Sequence, residues 1–331
     1  MENRSKIWLA TGLLALLHGA VLAAGFVAPY DFAAQDRDLP YAPPSRLHFV
    51  DAQGKFHLRP FVYRWMEQPE GSGNYVADTS RAYDVHFLVG SRSGARRLFG
   101  VDEPARIFLL GTDAYGRDQL SRLLYGGRIS LLAGLLAAAL TLGVGLLAGA
   151  IAGYCAGWLD GIIMRGAELF LALPWLYLLF AIRAFLPLHI SPAQAFFLLV
   201  SVIGLVGWAR PARLVRGVVL SAKERTYVLA ARSFGGSDFY LLRRHILPQT
   251  LGVLLTQAAI LIPQFILAEV TLSFLGLGVG EPVPSWGNML ATLQQYSVLA
   301  SYWWMFLPGL ALVPVFWMYH KLADSLHGAA L

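Results

Sequence analysis

Apolar residues in this chain come in long blocks, not at the regular spacing of amphipathic helices in soluble proteins. A helix needs roughly 20 apolar residues to cross the hydrocarbon core of a bilayer. The blocks that are long or apolar enough predict six spans, at residues 7–28, 129–154, 162–185, 193–208, 251–275 and 302–320. The fold class expected is therefore an all-α polytopic membrane protein with about six transmembrane helices.

The first block has a second interpretation. Arg4 and Lys6 precede it and it ends in VLAAG, a pattern that also fits a cleaved signal peptide. Its uninterrupted apolar run is longer than the roughly 7–15 residues of a signal peptide's apolar region. A retained N-terminal helix is the favoured interpretation, with residues 1–28 as its extent.

Composition supports a membrane protein. Of the 331 residues, 56% are hydrophobic and 14% are charged, whereas a soluble domain carries about a quarter charged residues. The net charge of +6 does not indicate a nucleic-acid partner. The positive residues lie beside apolar runs, where such residues determine the topology and contact lipid headgroups. The single Cys155 excludes an intramolecular disulfide, and no Cys/His cluster has the spacing of a metal site.

Positive residues also predict the orientation. Arg4 and Lys6 precede the first span, Lys321 follows the last, and residues 209–250 carry a third basic group. The Lys and Arg residues of that group are Arg210, Arg213, Arg216, Lys223, Arg225, Arg232, Arg243 and Arg244. Six crossings place all three regions on one side, and the positive-inside rule makes that side the cytoplasm. Both termini are therefore expected in the cytoplasm, with residues 323–331 as a short tail.

Residues 29–127 are then external and are expected to hold short strands and an interfacial helix. The runs RLHFV and KFHLRPFVY flank a Gly-containing turn, which predicts a β-hairpin, and DVHFLVG and ARIFLLG are predicted as further strands. GSGN at residues 71–74 is predicted as a loop tip. The insertion after the first helix is thus a small β-containing segment.

A polar insert, LAARSFGGSDFYLLRRHILPQ (229–249), interrupts the apolar blocks. Residues 225–234 have helix-forming character, and Gly235 and Gly236 are expected to end that helix. Ser237 or Asp238 can then cap a second helix, which ends near His245 with Pro248 at the entry to the fifth span. The predicted element is a basic helical hairpin, here called the basic hairpin (residues 221–248).

Four stretches resemble one known family. They are AAxxxGxxxxxxxxxHILP within the basic hairpin, GTDAYGRDQLSRLLYGGRISL, AGYCAGWLDGIIMR and AEVTLSFLGLGVGEPVPSWGNML. In their order along the chain, over about residues 110–322, they resemble the dipeptide/oligopeptide/nickel permeases of ATP-binding-cassette (ABC) importers, and specifically the "C"-type subunit. The resemblance implies a type I importer permease core at residues 128–322.

In that family the hairpin is the EAA loop, whose coupling helix seats in a groove of an ATPase subunit. The resemblance therefore assigns ATPase coupling to Leu229, Ala230, Ala231, Arg232, Ser233, Gly235, Ser237, Asp238, His245 and Pro248. The family's glutamate at the start of this loop is Leu229 here, so any ion pair that it makes is missing. Docking is expected to survive with altered energetics.

Several polar residues outside the hairpin each have two alternative roles. Glu269 lies inside the fifth apolar block, where a carboxylate is costly; it either locks neighbouring helices together or lines the translocation path, and Arg183 is a possible partner. Arg117, Asp118 and Arg122 precede the second span. They belong either to an amphipathic interfacial helix or to a contact with a solute-binding protein.

The expected function is a permease subunit of an importer for peptides or similar small solutes, with nickel or another metal chelate as the alternative within the family. No GxxxxGK[ST] loop is present, so the chain is not expected to be an enzyme or to bind a cofactor, and ATP and Mg²⁺ would belong to one or two ATPase subunits. Other expected partners are a homologous "B" permease, an extracytoplasmic solute-binding protein and inner-membrane lipid, with no nucleic acid.

Three other classes of protein are alternatives to the importer. An ion-coupled secondary transporter would need internal repeats and more buried ionisable residues, and a membrane enzyme would need convergent catalytic groups. A sensor or scaffold that uses the external segment as a binding module is harder to separate from the importer, and co-purification with an ATPase subunit would decide between them.

Overall fold

The computed structural model describes residues 2–67, 75–90, 96–185 and 190–330. The helices are α1 (Glu2–Leu22), α2 (Ala24–Val27), α3 (Gln119–Cys155), α4 (Gly157–Ala172), α5 (Trp175–Ala184), α6 (Pro192–Val206), α7 (Ala209–Lys223), α8 (Thr226–Ser233), α9 (Asp238–Leu241), α10 (Leu251–Phe274), α11 (Trp286–Ala291), α12 (Tyr296–Ser301) and α13 (Leu307–Ala330). The strands are β1 (His48–Val50), β2 (Phe56–Glu67), β3 (Tyr75–Gly90) and β4 (Arg96–Val101). The predicted mostly helical chain with a small β insertion is confirmed.

The apolar helices agree in part with the six predicted spans. Within the described residues, 3 helices are long and apolar enough to cross a membrane: Gln119–Cys155, Asp238–Phe274 and Trp303–Leu326. The count rises to 5 if each of two bent helix pairs is one span. The first helix contributes only a shorter apolar stretch, Trp8–Leu22.

The third predicted span, 162–185, is not one straight helix. α4 and α5 meet at an angle of 94°, and Leu173 between them has an extended backbone with ψ 138°. Pro174 follows, and proline disfavours the helical conformation in the residue before it. The predicted span is therefore a bent pair of helices, and the proline is the physical reason for the bend. A second bend, of 46°, separates α6 from α7.

One compact unit comprises residues 1–14, 131–272 and 314–331. In it, α3 packs against α7 through Gly145, Gly149 and Gly153, here called the glycine seam. A Cβ added at Gly149 would lie 2.4 Å from the Ala212 carbonyl oxygen, and one at Gly153 would lie 2.9 Å from Val219 Cβ. Small residues at every fourth position let two helix backbones approach closely. The two helices are therefore in close, tightly fitted contact.

The second unit comprises residues 15–130 and 273–313 and contains the β-sheet. Its strands are antiparallel in the order β1-β2-β3-β4. The predicted β-hairpin is present, with Val50 opposite Phe56, and DVHFLVG lies in β3. GSGN lies outside the described residues.

The predicted strand ARIFLLG, residues 105–111, is wrong. The segment is irregular, and RRLFGV forms the fourth strand instead. Its backbone finds other partners: the Tyr30 hydroxyl accepts from Ile107 N at 2.9 Å, and Ser45 Oγ accepts from Phe108 N at 3.0 Å. Buried Ile107 packs with Val62 and Val85. The segment is thus apolar because it is buried, not because it pairs in the sheet.

Candidate functional site

The basic hairpin is two short helices joined by a tight turn. α8 ends as Gly235 adopts φ 86°, a left-handed conformation that costs glycine little. Gly236 N donates to the Ala231 carbonyl at 3.0 Å and Gly235 N to that of Arg232 at 3.0 Å. These bonds satisfy carbonyls at the helix end. The predicted turn at the glycine pair is present.

The second arm of the hairpin runs into the next span without a break. Ser237 caps α9, its Oγ accepting from Tyr240 N at 3.3 Å. The helix then widens into a π-helical turn, Leu242–Ile246, and tightens into a 3₁₀ turn, Leu247–Thr250, with Pro248 in its first turn. Residues Asp238–Phe274 thus form one apolar helix, and Pro248 marks its change of winding.

One side of the basic hairpin is buried and the other is exposed. Val228, Leu241 and Ile246 pack against Val215 and Val219 of α7. The exposed side carries large apolar side chains, with these exposed fractions: Leu229 43%, Phe234 91%, Phe239 71% and Tyr240 50%. Apolar side chains clustered in the open mark an interaction surface.

The sequence-predicted coupling residues divide between these sides. Ala230, Arg232, Ser233, Gly235, Ser237, Asp238 and Pro248 are exposed with Leu229, whereas Ala231 and His245 are half-buried. His245 lies between two aromatic rings, 6.2 Å from that of Tyr227 and 5.4 Å from that of Tyr240. The structure therefore gathers all ten residues in one element. Their contact with an ATPase stays a prediction.

Polar contacts connect the hairpin with the end of α3. The Tyr154 hydroxyl donates to Asp238 Oδ1 at 2.5 Å and accepts from Arg232 Nη2 at 3.2 Å. Nearby, Arg216 of α7 holds Asp160 of α4 through two bonds, of 2.5 and 2.6 Å. Such a bidentate pair is geometrically specific. Sequence analysis missed Tyr154 and Asp160, although both lie in AGYCAGWLDGIIMR.

The second unit contains a different set of charges, here called the arginine–carboxylate cluster: Asp113, Arg117, Arg122 and Glu281. Arg117 Nε lies 2.6 Å from Asp113 Oδ2, and its Nη1 lies 2.7 Å from Glu281 Oε2. Arg122 Nη2 lies 2.8 Å from Glu281 Oε1. The two arginine side chains are 7% and 2% exposed, and that of Glu281 is 48% exposed. The cluster joins the first turn of α3 and the segment before it to the loop after α10.

Burial bears on the predicted role of Arg117, Asp118 and Arg122. All three side chains are buried, so they offer no exposed surface in this conformation. Glu281 is the member of the cluster with an exposed carboxylate, and sequence analysis missed it. The sequence feature that could have indicated Glu281 is an acidic residue within a Gly- and Pro-rich loop, GVGEPVPSWG. The contact with a binding protein stays a prediction.

The environment shifts the pKa of Glu281 and the pKa of Asp118 in opposite directions. Burial alone would raise the pKa of Glu281, but the charges of Arg122 and Arg117 outweigh it and lower that pKa. Burial raises the pKa of Asp118 to about 6, although Ser121 donates to Asp118 Oδ2 from both its N and its Oγ. Asp118 thereby caps α3 at the cost of burying its charge.

The remaining predicted polar residues lie apart from these clusters. Glu269 is fully buried in α10, while the side chain of Arg183 is outside the described part of the chain, so their pairing is untested. A cavity of about 490 Å³ in the first unit lies at the two helix bends, with Leu173, Pro174, Gly207, Arg210 and Gln264 in its wall. Over the described residues, no group of three or more His, Cys, Asp or Glu residues could hold a metal ion.

Together these features define a polytopic helical protein with bent spans and a helical hairpin that presents an apolar surface. The family of binding-protein-dependent transport system inner membrane components matches residues 145–326, which is more than half of the chain and includes the basic hairpin. The chain belongs to this family. It is therefore a multi-pass membrane protein and a transport subunit.

Two relatives show the extent of the similarity. The dipeptide transport system permease protein DppC of Bacillus subtilis is 35% identical over 227 residues, which is 68% of this chain and 69% of that protein. The oligopeptide transport system permease protein OppC of Salmonella typhimurium is 42% identical over 219 residues, 66% of this chain and 70% of that protein.

Among solved structures, inward facing MetNI methionine ABC transporter matches with a TM-score of 0.47 and 18% identity, covering 63% of this chain and 96% of that chain.

Proposed function

We propose that this chain is one transmembrane subunit of an ATP-driven, binding-protein-dependent importer of peptides. The observation that carries the proposal is the 35% and 42% identity to the DppC and OppC permeases. It is supported by the basic hairpin, which lies within the region that matches the family. A peptide is the solute class that these relatives' names share.

The hairpin is the element through which a motor would act. Its exposed apolar face, with Phe234 91% and Phe239 71% exposed, suits a groove on an ATPase subunit. Leu229, in place of an acidic residue, adds apolar contact at the same face. Closing of two ATPase subunits around ATP would pull the hairpin and change the access of the helix bundle, and a clean switch requires several kcal/mol of preference for one state.

The same proposal fixes the orientation and the partners. The basic hairpin and both termini face the cytoplasm, and the β-containing segment faces a solute-binding protein on the outside. A homologous permease completes the path for the solute. The cavity at the two helix bends, with Arg210 and Gln264 in its wall, is the part of the path that this chain supplies.

The test is uptake by the assembled importer. The tagged chain is purified with its co-purifying subunits and reconstituted into vesicles, and uptake of radiolabelled Ala-Ala-Ala and ATP hydrolysis are measured. Gly235→Trp and Ala231→Trp place bulk in the hairpin turn and should abolish uptake and peptide-stimulated hydrolysis. Gly12→Trp, at an exposed site of α1 where an added Cβ meets nothing within 4 Å, adds the same bulk as a control. Undiminished uptake by both hairpin variants would contradict the proposal.

A further inference from the structure

A single hydroxyl group contacts both arms of the basic hairpin. Tyr154 belongs to the last turn of α3. Its hydroxyl accepts from Arg232 at the end of α8 and donates to Asp238 at the start of α9, at 3.2 and 2.5 Å. These two partners lie on opposite sides of the Gly235 turn. Both charges are placed favourably, because the cation is in the last turn of its helix and the anion in the first. The hydroxyl therefore spans the turn and fixes it against α3.

The helix that carries Tyr154 is held firmly to its neighbour. The glycine seam places the α3 backbone against α7, and at Gly145 an added Cβ would lie 2.7 Å from Pro211 Cβ. Close to the hairpin, Lys223 Nζ donates to the Gly153 carbonyl at 3.3 Å. Two helices whose backbones are in such close contact resist sliding past each other, because packed protein interiors deform little. A force on Tyr154 is thus a force on the whole α3–α7 pair.

We propose that Tyr154 is a positioning residue that transmits the movement of the basic hairpin to α3. This inference rests on the proposed function, because it assigns a route to the same coupling movement. The bonds suit transmission more than stability: the side chains of Arg232 and Asp238 are 52% and 77% exposed. Exposed polar contacts add little to folding, so their loss should leave the fold intact and appear in coupling.

The first test compares transport with hydrolysis. Tyr154→Phe removes the hydroxyl and keeps the ring. In the reconstituted importer it should lower the Ala-Ala-Ala molecules taken up per ATP hydrolysed by about two- to fivefold, the effect of one hydrogen bond that water partly replaces. Retention of the ATPase subunits and basal hydrolysis should not change. Tyr177→Phe, at an exposed site of α5, is the matched control.

A double-mutant cycle shows whether the effect passes through Asp238. If Tyr154 and Asp238 act through their bond, the loss of transport ratio in the Tyr154→Phe/Asp238→Ala double variant should be smaller than the two single losses combined. Asp238→Ala alone also removes the contact of Asp238 with Arg232, at 3.6 Å. Additive losses would overturn the inference, as would a Tyr154→Phe importer with the transport ratio of the wild type.

A second measurement needs no solute. Cys155 adjoins Tyr154, is exposed, and is the chain's single cysteine. With partner subunits free of cysteine, its rate of maleimide modification should differ between nucleotide-free and ATP-plus-vanadate states. Tyr154→Phe should remove most of that difference. A difference that persists unchanged in the variant would overturn the inference.

Failure of the proposed function is separable from failure of the inference. A wild-type chain that neither retains ATPase subunits nor supports uptake would refute the proposed function and the inference with it. An active wild-type importer with an equally coupled Tyr154→Phe variant would refute the inference alone.

Discussion

Two regions of the molecule bring arginine and carboxylate groups together, and they do so in opposite surroundings. In the arginine–carboxylate cluster, Arg117 and Arg122 are 7% and 2% exposed. In the basic hairpin, Arg232 and Asp238 are 52% and 77% exposed. Buried charges need their partners, because an unpaired charge away from water is costly. Exposed charges can exchange partners with water.

The difference separates a fixed element from a movable one. The buried cluster holds the start of α3 to the loop after α10. Separating these two segments would leave the buried guanidinium groups of Arg117 and Arg122 without their partner Glu281. In the hairpin, each bond can open at small cost, as the proposed coupling role requires. The same residue types are therefore fixed by burial in one region and left free to exchange partners in the other.

The largest expected effect is the removal of Glu281. Glu281→Ala leaves buried Arg117 and Arg122 without this acceptor and should lower the free energy of unfolding by about 2–4 kcal/mol, below the full loss of a buried pair because Glu281 is half exposed. Asp238→Ala should cost about 0.5 kcal/mol or less. Thermal unfolding in detergent measures both. Equal losses of unfolding free energy in the two variants would contradict the difference between the buried cluster and the exposed hairpin.

The pH dependence of unfolding sharpens the comparison within the buried region. The pKa of Asp118 is raised from 3.8 to about 6, so the folded chain binds more protons than the unfolded chain between these values. Its contribution to the free energy of unfolding should therefore fall as pH rises from about 4 to 6, by up to about 3 kcal/mol. Asp118→Asn should lack this fall when unfolding is followed from pH 4 to 7.

In the Asp118→Asn variant, the contribution of Glu281 to the free energy of unfolding should have the opposite pH dependence. Its pKa is lowered from 4.5, so its stabilisation is present above that value and is lost as pH falls below it. In Asp118→Asn, unfolding should thus become easier towards acid pH. A variant whose stability keeps falling as pH rises from 4 to 6 would contradict the assignment to Asp118.

The glycine seam tests whether the support under the hairpin is rigid. Gly149→Ala places a Cβ 2.4 Å from a backbone oxygen, which cannot yield without separating α3 from α7, and should cost about 1–3 kcal/mol. Gly143→Ala on the same helix meets nothing within 4 Å and should cost nothing. Thermal unfolding of the two variants compares them. If Gly149→Ala unfolded at the same temperature as Gly143→Ala, the contact between α3 and α7 at the glycine seam would not be rigid.

The most local effect concerns the turn of the hairpin. Gly235 has φ 86°, so Gly235→Ala should destabilise the turn locally by about 1–2 kcal/mol, whereas Gly235→Asn should cost less because asparagine tolerates this conformation. Hydrogen exchange of the α8 and α9 amides should be faster in the alanine variant. Equal exchange in both variants would remove the conformational explanation.

Much of the helical architecture could be predicted because it follows from local patterns. Apolar blocks located α3, α10 and α13, and the glycine pair located the hairpin turn. The bend at Leu173–Pro174 also has a local signal in Pro174, although the apolar composition of 162–185 by itself favours an unbroken span. Glycines at 145, 149 and 153 were visible as a four-residue repeat, yet only the structure shows that α7 is their partner.

The charge cluster and the irregular course of residues 105–111 could not be predicted because both depend on partners far away in the sequence. Arg117 and Glu281 are 164 positions apart, and no periodicity connects them. The apolar run around Ile107 looked like a strand, since a buried irregular segment and a buried strand have the same composition. In the folded chain, the hydroxyl groups of Tyr30 and Ser45 bond its backbone in place of a neighbouring strand.

The central claim, that the basic hairpin contacts an ATPase subunit, is tested most directly by photocrosslinking in the membrane. A photoreactive p-benzoylphenylalanine replaces Phe234 in the hairpin or Leu58 in β2, which are 91% and 92% exposed. The account predicts a crosslink to an ATPase subunit from position 234 and none from position 58. A crosslink to an ATPase from position 58 but not from position 234 would contradict it.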